Sequence, residues 1–206
     1  MKLHRIFIAI NLPDDVKDRL LAYQEKWQGI PARWTTKENL HLTLAFLGNT
    51  SEVELQNLIS VCTQIGERHL PFELRIARLQ YGPDAKRPRM IWAVGENMPK
   101  LLALQQDICL TLGIQETQKF SPHLTLARFR SFELQRMEQE ELPDPPVFDP
   151  EVSDRRAGGE EIPIAFEVKS IEVMESKLKR SGAQYTIVQE IPLTLRSKGK
   201  WYNESI

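Results

Sequence analysis

Cysteine is scarce: the 206 residues hold two, Cys62 and Cys109, each inside an apolar helical pattern. A disulfide framework is thereby excluded, and neither cysteine has the neighbours of a metal or redox site. Both read as buried free thiols in a reducing cytoplasm. Long apolar runs are also missing, since nothing approaches the ~20 residues that span a bilayer. The opening "MKLHRIFIAINLP" has neither the apolar stretch nor the cleavage site of a signal peptide, and it reads as a first strand. Charge of one sign is lacking too: 27 basic against 28 acidic residues leave a net charge of −1. A basic coat that grips nucleic acid along its length is therefore excluded, and any nucleic acid must be met locally, at an end or a single phosphate. What is present is 41% apolar and 27% charged residues, an ordinary soluble composition with enough chain for a real core.

The pattern along the chain runs twice through the same order. "RIFIAI" is a β-branched strand, and Pro13, Asp14 and Asp15 open a helix with Val16, Leu20, Tyr23 and Trp27 in register, stopped at "QGIP". The strand "HLTLAFLG" follows. Ser51 and Glu54 form a capping-box signature ahead of a helix striped by Leu55, Leu58, Ile59, Cys62 and Ile65, and "PFELRIARLQYG" alternates as a strand. The second half restarts with the strand "RMIWAV". A helix follows with Leu101, Leu104, Ile108 and Leu112 in register, stopped by Gly113, and then "HLTLARF". Arg5 and Arg89 stand 84 residues apart, His41 and His123 82 apart. Chance alone gives ~0.1 repeated tetrapeptides in such a chain at equal residue usage. The matching context adds to this, and an internal duplication is expected. "IAFEVKSIEVMES" and "QYTIVQEIPLTL" read as late strands. The charged, proline-rich stretch 131–163 reads as a mobile surface insertion in one two-lobed domain.

Successive side chains of a strand face opposite ways. His41, Thr43 and Ala45 are expected on one face of their strand, with Leu42, Leu44 and Phe46 anchoring the other. His123, Thr125 and Ala127 oppose Leu124 and Leu126 likewise. A single such histidine is more simply a hydrogen-bonded surface residue. Two of them on repeated strands point to a joint site. Imidazole titrates near neutral pH, so one ring can accept a proton while the other delivers one, and each threonine hydroxyl can bind an oxygen between them. That suits in-line displacement at phosphorus. Zinc is disfavoured because no Cys, Asp or further His has ligand spacing beside either strand. A nucleophilic triad is disfavoured because no acid shares the histidine face.

At "RIFIAINLP", "ENLHLTLAFLG", "PRMIW", "FSPHLTLARF" and "ESKLKRSGAQY" the chain resembles the two-histidine phosphoesterase superfamily, and within it the bacterial and archaeal RNA 2′,3′-cyclic phosphodiesterases, first named 2′-5′ RNA ligases. The resemblance omits 131–163. It implies an α+β fold, bilobal and pseudo-symmetric, with two antiparallel sheets facing across a central cleft and helices outside. It also implies metal-free, cofactor-free hydrolysis of a 2′,3′-cyclic phosphate at an RNA 3′ end, or in a small cyclic nucleotide, to a 2′-phosphate. His41 would be the proton donor to the leaving oxygen and His123 the proton acceptor from water. Thr43 and Thr125 would hold nonbridging oxygens, and the reverse reaction would join ends through a 2′-5′ bond. Other readings are an ADP-ribose 1″,2″-cyclic phosphate phosphodiesterase and a non-catalytic RNA-end module. A cytoplasmic monomer without membrane attachment is expected.

Arg128 is a candidate phosphate or base contact, although plain alternation turns it away from the histidines unless a bulge or the strand's end turns it back. Lys37, Arg87 and Arg89 read as solvated charges, Trp34 and Tyr81 as core or rim packing, and His4 and His69 as surface residues.

Overall fold

Strand β1 (Leu3–Asn11) is the "RIFIAI" run. Its residues Ile6 to Ile10 are all buried, as a strand covered on both faces requires. The computed structural model describes residues 2–25, 32–84, 88–95, 98–115, 119–129, 164–180 and 182–195. The expected helix stop at 27–31, Arg87, the 131–163 insertion and the tail beyond 195 lie outside the described residues. Helix α1 (Asp14–Glu25) starts behind Pro13 with two acids in its first turn. Short strand β2 (Ala32–Trp34) and a 3-10 turn (Lys37–Asn39) lead into β3 (His41–Ser51). Helix α2 (Glu52–Gly66) opens on the complete capping box: the Ser51 amide donates to Glu54 at 2.7 Å and the Glu54 amide to Ser51 Oγ at 3.4 Å. Strands β4 (Phe72–Gly82) and β5 (Met90–Gly95) precede α3 (Pro99–Leu112), and β6 (His123–Phe129) carries the second HxT sequence. No helix among the described residues is long and apolar enough to cross a membrane.

"IAFEVKSIEVMES" is two strands, not one. Strand β7 (Ile164–Val168) pairs with β4, whereas β8 (Ser170–Lys179) pairs with β1 and with β9 (Gly182–Pro192). The described strands form one hydrogen-bonded antiparallel sheet, ordered β7-β4-β5-β6-β3-β1-β8-β9, with β2 attached to β6. Two separate sheets were expected. The ladder is continuous instead, and its two halves meet through the single pairing Leu42↔Leu124. Across that ladder β7 and β8 are six strands apart, about 29 Å at the usual spacing. Yet only Lys169 separates them in the chain. The sheet must therefore curl strongly to bring its ends together, which gives a half-barrel.

The main core fills one face of this curl. It joins Leu20 of α1, Leu55, Cys62 and Ile65 of α2, and Leu101, Leu104 and Ile108 of α3 to the inward residues of the strands. Burial pushes the Cys62 thiol up to about 12, so it stays protonated and inert. Two histidines read as surface residues are tied down. His4 is buried, with Nδ1 2.8 Å from Glu175 and Nε2 3.3 Å from Glu52. His69 pairs with Asp107 at 2.9 Å, a carboxylate that Arg68 also binds through two nitrogens.

Candidate active site

Leu42, Leu44, Leu124 and Leu126 are all buried in the main core. Each stabilises the fold by about 1.5–3 kcal/mol, enough to prevent a one-residue slip of either strand. That anchoring turns His41, Thr43, His123 and Thr125 to the opposite face. The Leu42↔Leu124 pairing sits between the two motifs. An antiparallel pair centred there draws Thr43 toward His123 and His41 toward Thr125.

Beyond each threonine the alternation breaks, in the same way on both strands. The β1–β3 ladder passes from Ala9↔Thr43 to Ile8↔Ala45, leaving Leu44 as an extra residue. The β5–β6 ladder passes from Trp92↔Thr125 to Ile91↔Ala127, leaving Leu126 as the extra one. Each bulge buries two consecutive residues. Ala45 and Ala127 therefore join the core, against the expectation that they share the histidine face. The next residue is swung back. Phe46, expected as an anchor, is 71% exposed, with its ring centroid 6.0 Å from Phe7. Arg128 is likewise turned to the histidine side and exposed, and its charge bears on both imidazoles.

Each histidine is held the same way. The Nδ1–H of His41 donates to the Asn39 carbonyl at 2.7 Å, and that of His123 to the Ser121 carbonyl at 2.7 Å. A carbonyl only accepts, so in the neutral rings Nε2 is the basic nitrogen on both. At His41 it lies 3.0 Å from the Thr43 hydroxyl, which donates to it. Thr125 is half-buried on the same face of β6.

The surroundings differ. His41 packs against Phe7, centroids 5.0 Å apart, and against the edge of Tyr185 at 4.9 Å. Burial among these rings lowers its pKa from 6.5 to about 4. The Asn39 bond opposes the shift, while the charges of Arg128, Lys17 and His123 reinforce it. His123 stacks on Trp92 at 4.0 Å and 24°, and burial also lowers its pKa, opposed by the Ser121 bond and aided by Arg128. Gly82 on β4 makes that stack possible, because a Cβ there would overlap the Trp92 indole. The buried Trp92 Nε1–H finds no acceptor among the described residues.

Three contributors went unread in the sequence. Asn39 holds His41 through its carbonyl, while its side chain donates to the Ala183 carbonyl at 2.9 Å and accepts from the Tyr185 amide at 3.1 Å. Tyr185 thereby stays against His41. Trp92 is the third, and all three stand inside stretches that carry the family resemblance. Lys17 of α1 is buried, its pKa is lowered by that burial against Asp14 and Glu38, and its charge bears on His41. Of the other candidates, Lys37 pairs with Asp18, Arg89 is exposed, and Trp34 and Tyr81 pack half-buried against the core. Among the described residues no group of three or more His, Cys, Asp or Glu side chains is placed to hold a metal ion.

A family profile described as "LigT like Phosphoesterase" matches residues 10–92, which takes in the first HxT strand. An RNA 2′,3′-cyclic phosphodiesterase of Aeropyrum pernix is 30% identical over 173 residues, covering 79% of this chain and 87% of that protein. One of Methanocaldococcus jannaschii is 24% identical over 189 residues, covering 90% and 99%. In fold, the crystal structure of TT0787 of Thermus thermophilus matches with a TM-score of 0.75 at 24% identity, over 94% of this chain and all of that one. The chain is thus an enzyme of the phosphoesterase class. It belongs to the LigT-like phosphoesterases.

Proposed function

We propose that the enzyme hydrolyses 2′,3′-cyclic phosphate ends of RNA to 2′-phosphates, with no metal, through His41 and His123. The observation that carries this reading is the matched pair of imidazoles. Each is fixed through Nδ1 to a carbonyl two residues back and offers Nε2 from either side of the Leu42↔Leu124 junction. Water attacks phosphorus while His123 Nε2 takes its proton. The bond from phosphorus to O3′ breaks, and His41 Nε2–H protonates that oxygen. The 2′-phosphate leaves with His123 protonated and His41 neutral, and one proton exchange with solvent at each ring restores the start. Thr43 and Thr125 hold the nonbridging oxygens. With a 5′-hydroxyl RNA end in place of the attacking water, the same displacement at phosphorus breaks the bond to O3′ and joins the two ends through a 2′-5′ bond. The relatives named RNA 2′,3′-cyclic phosphodiesterase support the choice of substrate.

The division of labour between acid and base follows the family resemblance. The low pKa of ligand-free His41 keeps it neutral at pH 7. An anionic phosphate at its Nε2 favours the protonated ring and raises that pKa, so substrate itself loads the acid. The strand order also supports a duplicated, bilobal domain: β9-β8-β1-β3 on one side of the junction answers β7-β4-β5-β6 on the other. A monomer is sufficient for this chemistry.

The test is turnover of a cyclic nucleotide in EDTA with product assignment by phosphorus NMR. A 2′-phosphate is expected. A 3′-phosphate would reverse the leaving group and the two histidine roles. The same assay across pH tests the proton count. Above pH 6.5 both free rings are neutral, so kcat/KM falls about tenfold per pH unit, while kcat, which reports the bound state, holds to higher pH. A flat kcat/KM from pH 6.5 to 8.5 would remove His41 as the proton donor.

A further inference from the structure

Arg33 and Arg128 are direct cross-strand partners on β2 and β6. Partners of that kind project to the same side. Arg128 has been returned to the histidine side by its bulge. Arg33 points there too, because its neighbours Ala32 and Trp34 pack on the core. Two guanidinium groups directly opposite each other repel and destabilise the pairing. Among the described residues neither has a carboxylate partner. Arg128 makes only a weak contact, 3.0 Å from Nη1 to Met90 Sδ. Arg33 lies against the β8–β9 turn, where Gly182, at φ +122°, has no Cβ to occupy the space its guanidinium takes. The chain thus keeps two unneutralised cations together on the reactive face. An anion seated between them would turn their repulsion into a charge-assisted bridge.

We infer that Arg33 and Arg128 form a subsite for a second phosphate, the phosphodiester next to the reacting end. The inference rests on the cyclic phosphodiesterase reading above and deepens it. Arg128 lies three residues beyond Thr125, about 10 Å along the strand, within reach of a neighbouring phosphate for a side chain as long as arginine's. Both arginines are exposed and β2 hangs on the end of the β6 pairing, so a chain entering here runs on into solvent. A net charge of −1 agrees with this local grip.

The test compares kcat/KM for cytidine 2′,3′-cyclic phosphate, a short oligoribonucleotide with the same terminus, and ADP-ribose 1″,2″-cyclic phosphate, in wild type, Arg33→Gln and Arg33→Lys. The ratio of oligonucleotide to mononucleotide kcat/KM is expected to fall roughly tenfold in Arg33→Gln. The slope of log kcat/KM against log salt for the oligonucleotide should shrink by about 0.7, the share of one single-strand phosphate contact. Arg33→Lys should restore most of that slope. An unchanged ratio and slope in Arg33→Gln would overturn the inference, as would an Arg33 dependence confined to the ADP-ribose substrate. If no cyclic phosphate is turned over, the catalytic reading fails separately. Anisotropy binding of a 2′-phosphate-ended oligoribonucleotide then decides the subsite, and equal Kd for wild type and Arg33→Gln counts against it.

Discussion

The His41 and His123 halves share a tetrapeptide, a bulge at the same place in it, and a backbone carbonyl clamp on Nδ1. They differ in what surrounds the ring. His41 sits among Phe7 and Tyr185 and accepts a bond from Thr43, whereas His123 lies flat on Trp92. The residues that the bulges return differ as well: apolar Phe46 on one side, cationic Arg128 on the other. The two HxT strands thus supply equal geometry, and their unequal neighbours supply unequal electrostatics. In the proposed mechanism, unequal surroundings let the two rings differ in proton affinity, as an acid and a base working together need.

The comparison breaks most directly at the rings. His41→Ala and His123→Ala should each reduce kcat by ~10²–10⁴, and full activity in either would end the paired reading. The next effect separates the halves by pH. The folded pKa of His41, about 4, lies below the ordinary 6.5, so between those values the unfolded chain binds a proton that the folded protein refuses. Stability is complete above pH 6.5 and declines as pH falls toward 4, by ~1.4 kcal/mol per unit and ~3 kcal/mol over the window. Urea unfolding at pH 7 and pH 5 should show wild type losing ~2 kcal/mol more than His41→Gln. Equal losses would mean that the ring is not desolvated as described. A smaller change sharpens the His41 side. Asn39→Ala leaves the carbonyl that holds His41 but orphans the Tyr185 amide and the Ala183 carbonyl, at ~1–3 kcal/mol by thermal or urea unfolding. Activity should drop with it as Tyr185 loosens. Unaltered stability would show that the β9 tether is not carried by this side chain.

Much of the site was legible because period-two patterning is a local property. Leu42 and Leu124 reach the core as the alternation requires, and His41, Thr43, His123 and Thr125 follow by parity. Parity fails at Ala45, Phe46, Ala127 and Arg128, since a bulge belongs to a pair of strands and no single strand announces it. Asn39 was illegible for a related reason: its partners Ala183 and Tyr185 lie more than 140 residues away. The break at Lys169 was hidden because β7 and β8 look alike in pattern and differ only in which strand each pairs with.

By itself the sequence determined the order of the long strands and helices through β6, the Ser51 cap, the inward leucines and the pairing of two HxT motifs, for these depend on neighbours within a few residues. Only the tertiary structure decided that the strands form one curled sheet, where the bulges fall, and that Trp92, Tyr185 and Arg128 surround the imidazoles. Those outcomes come from hydrogen-bond register and burial between distant segments, which set the local dielectric and charge at each histidine and so its proton affinity.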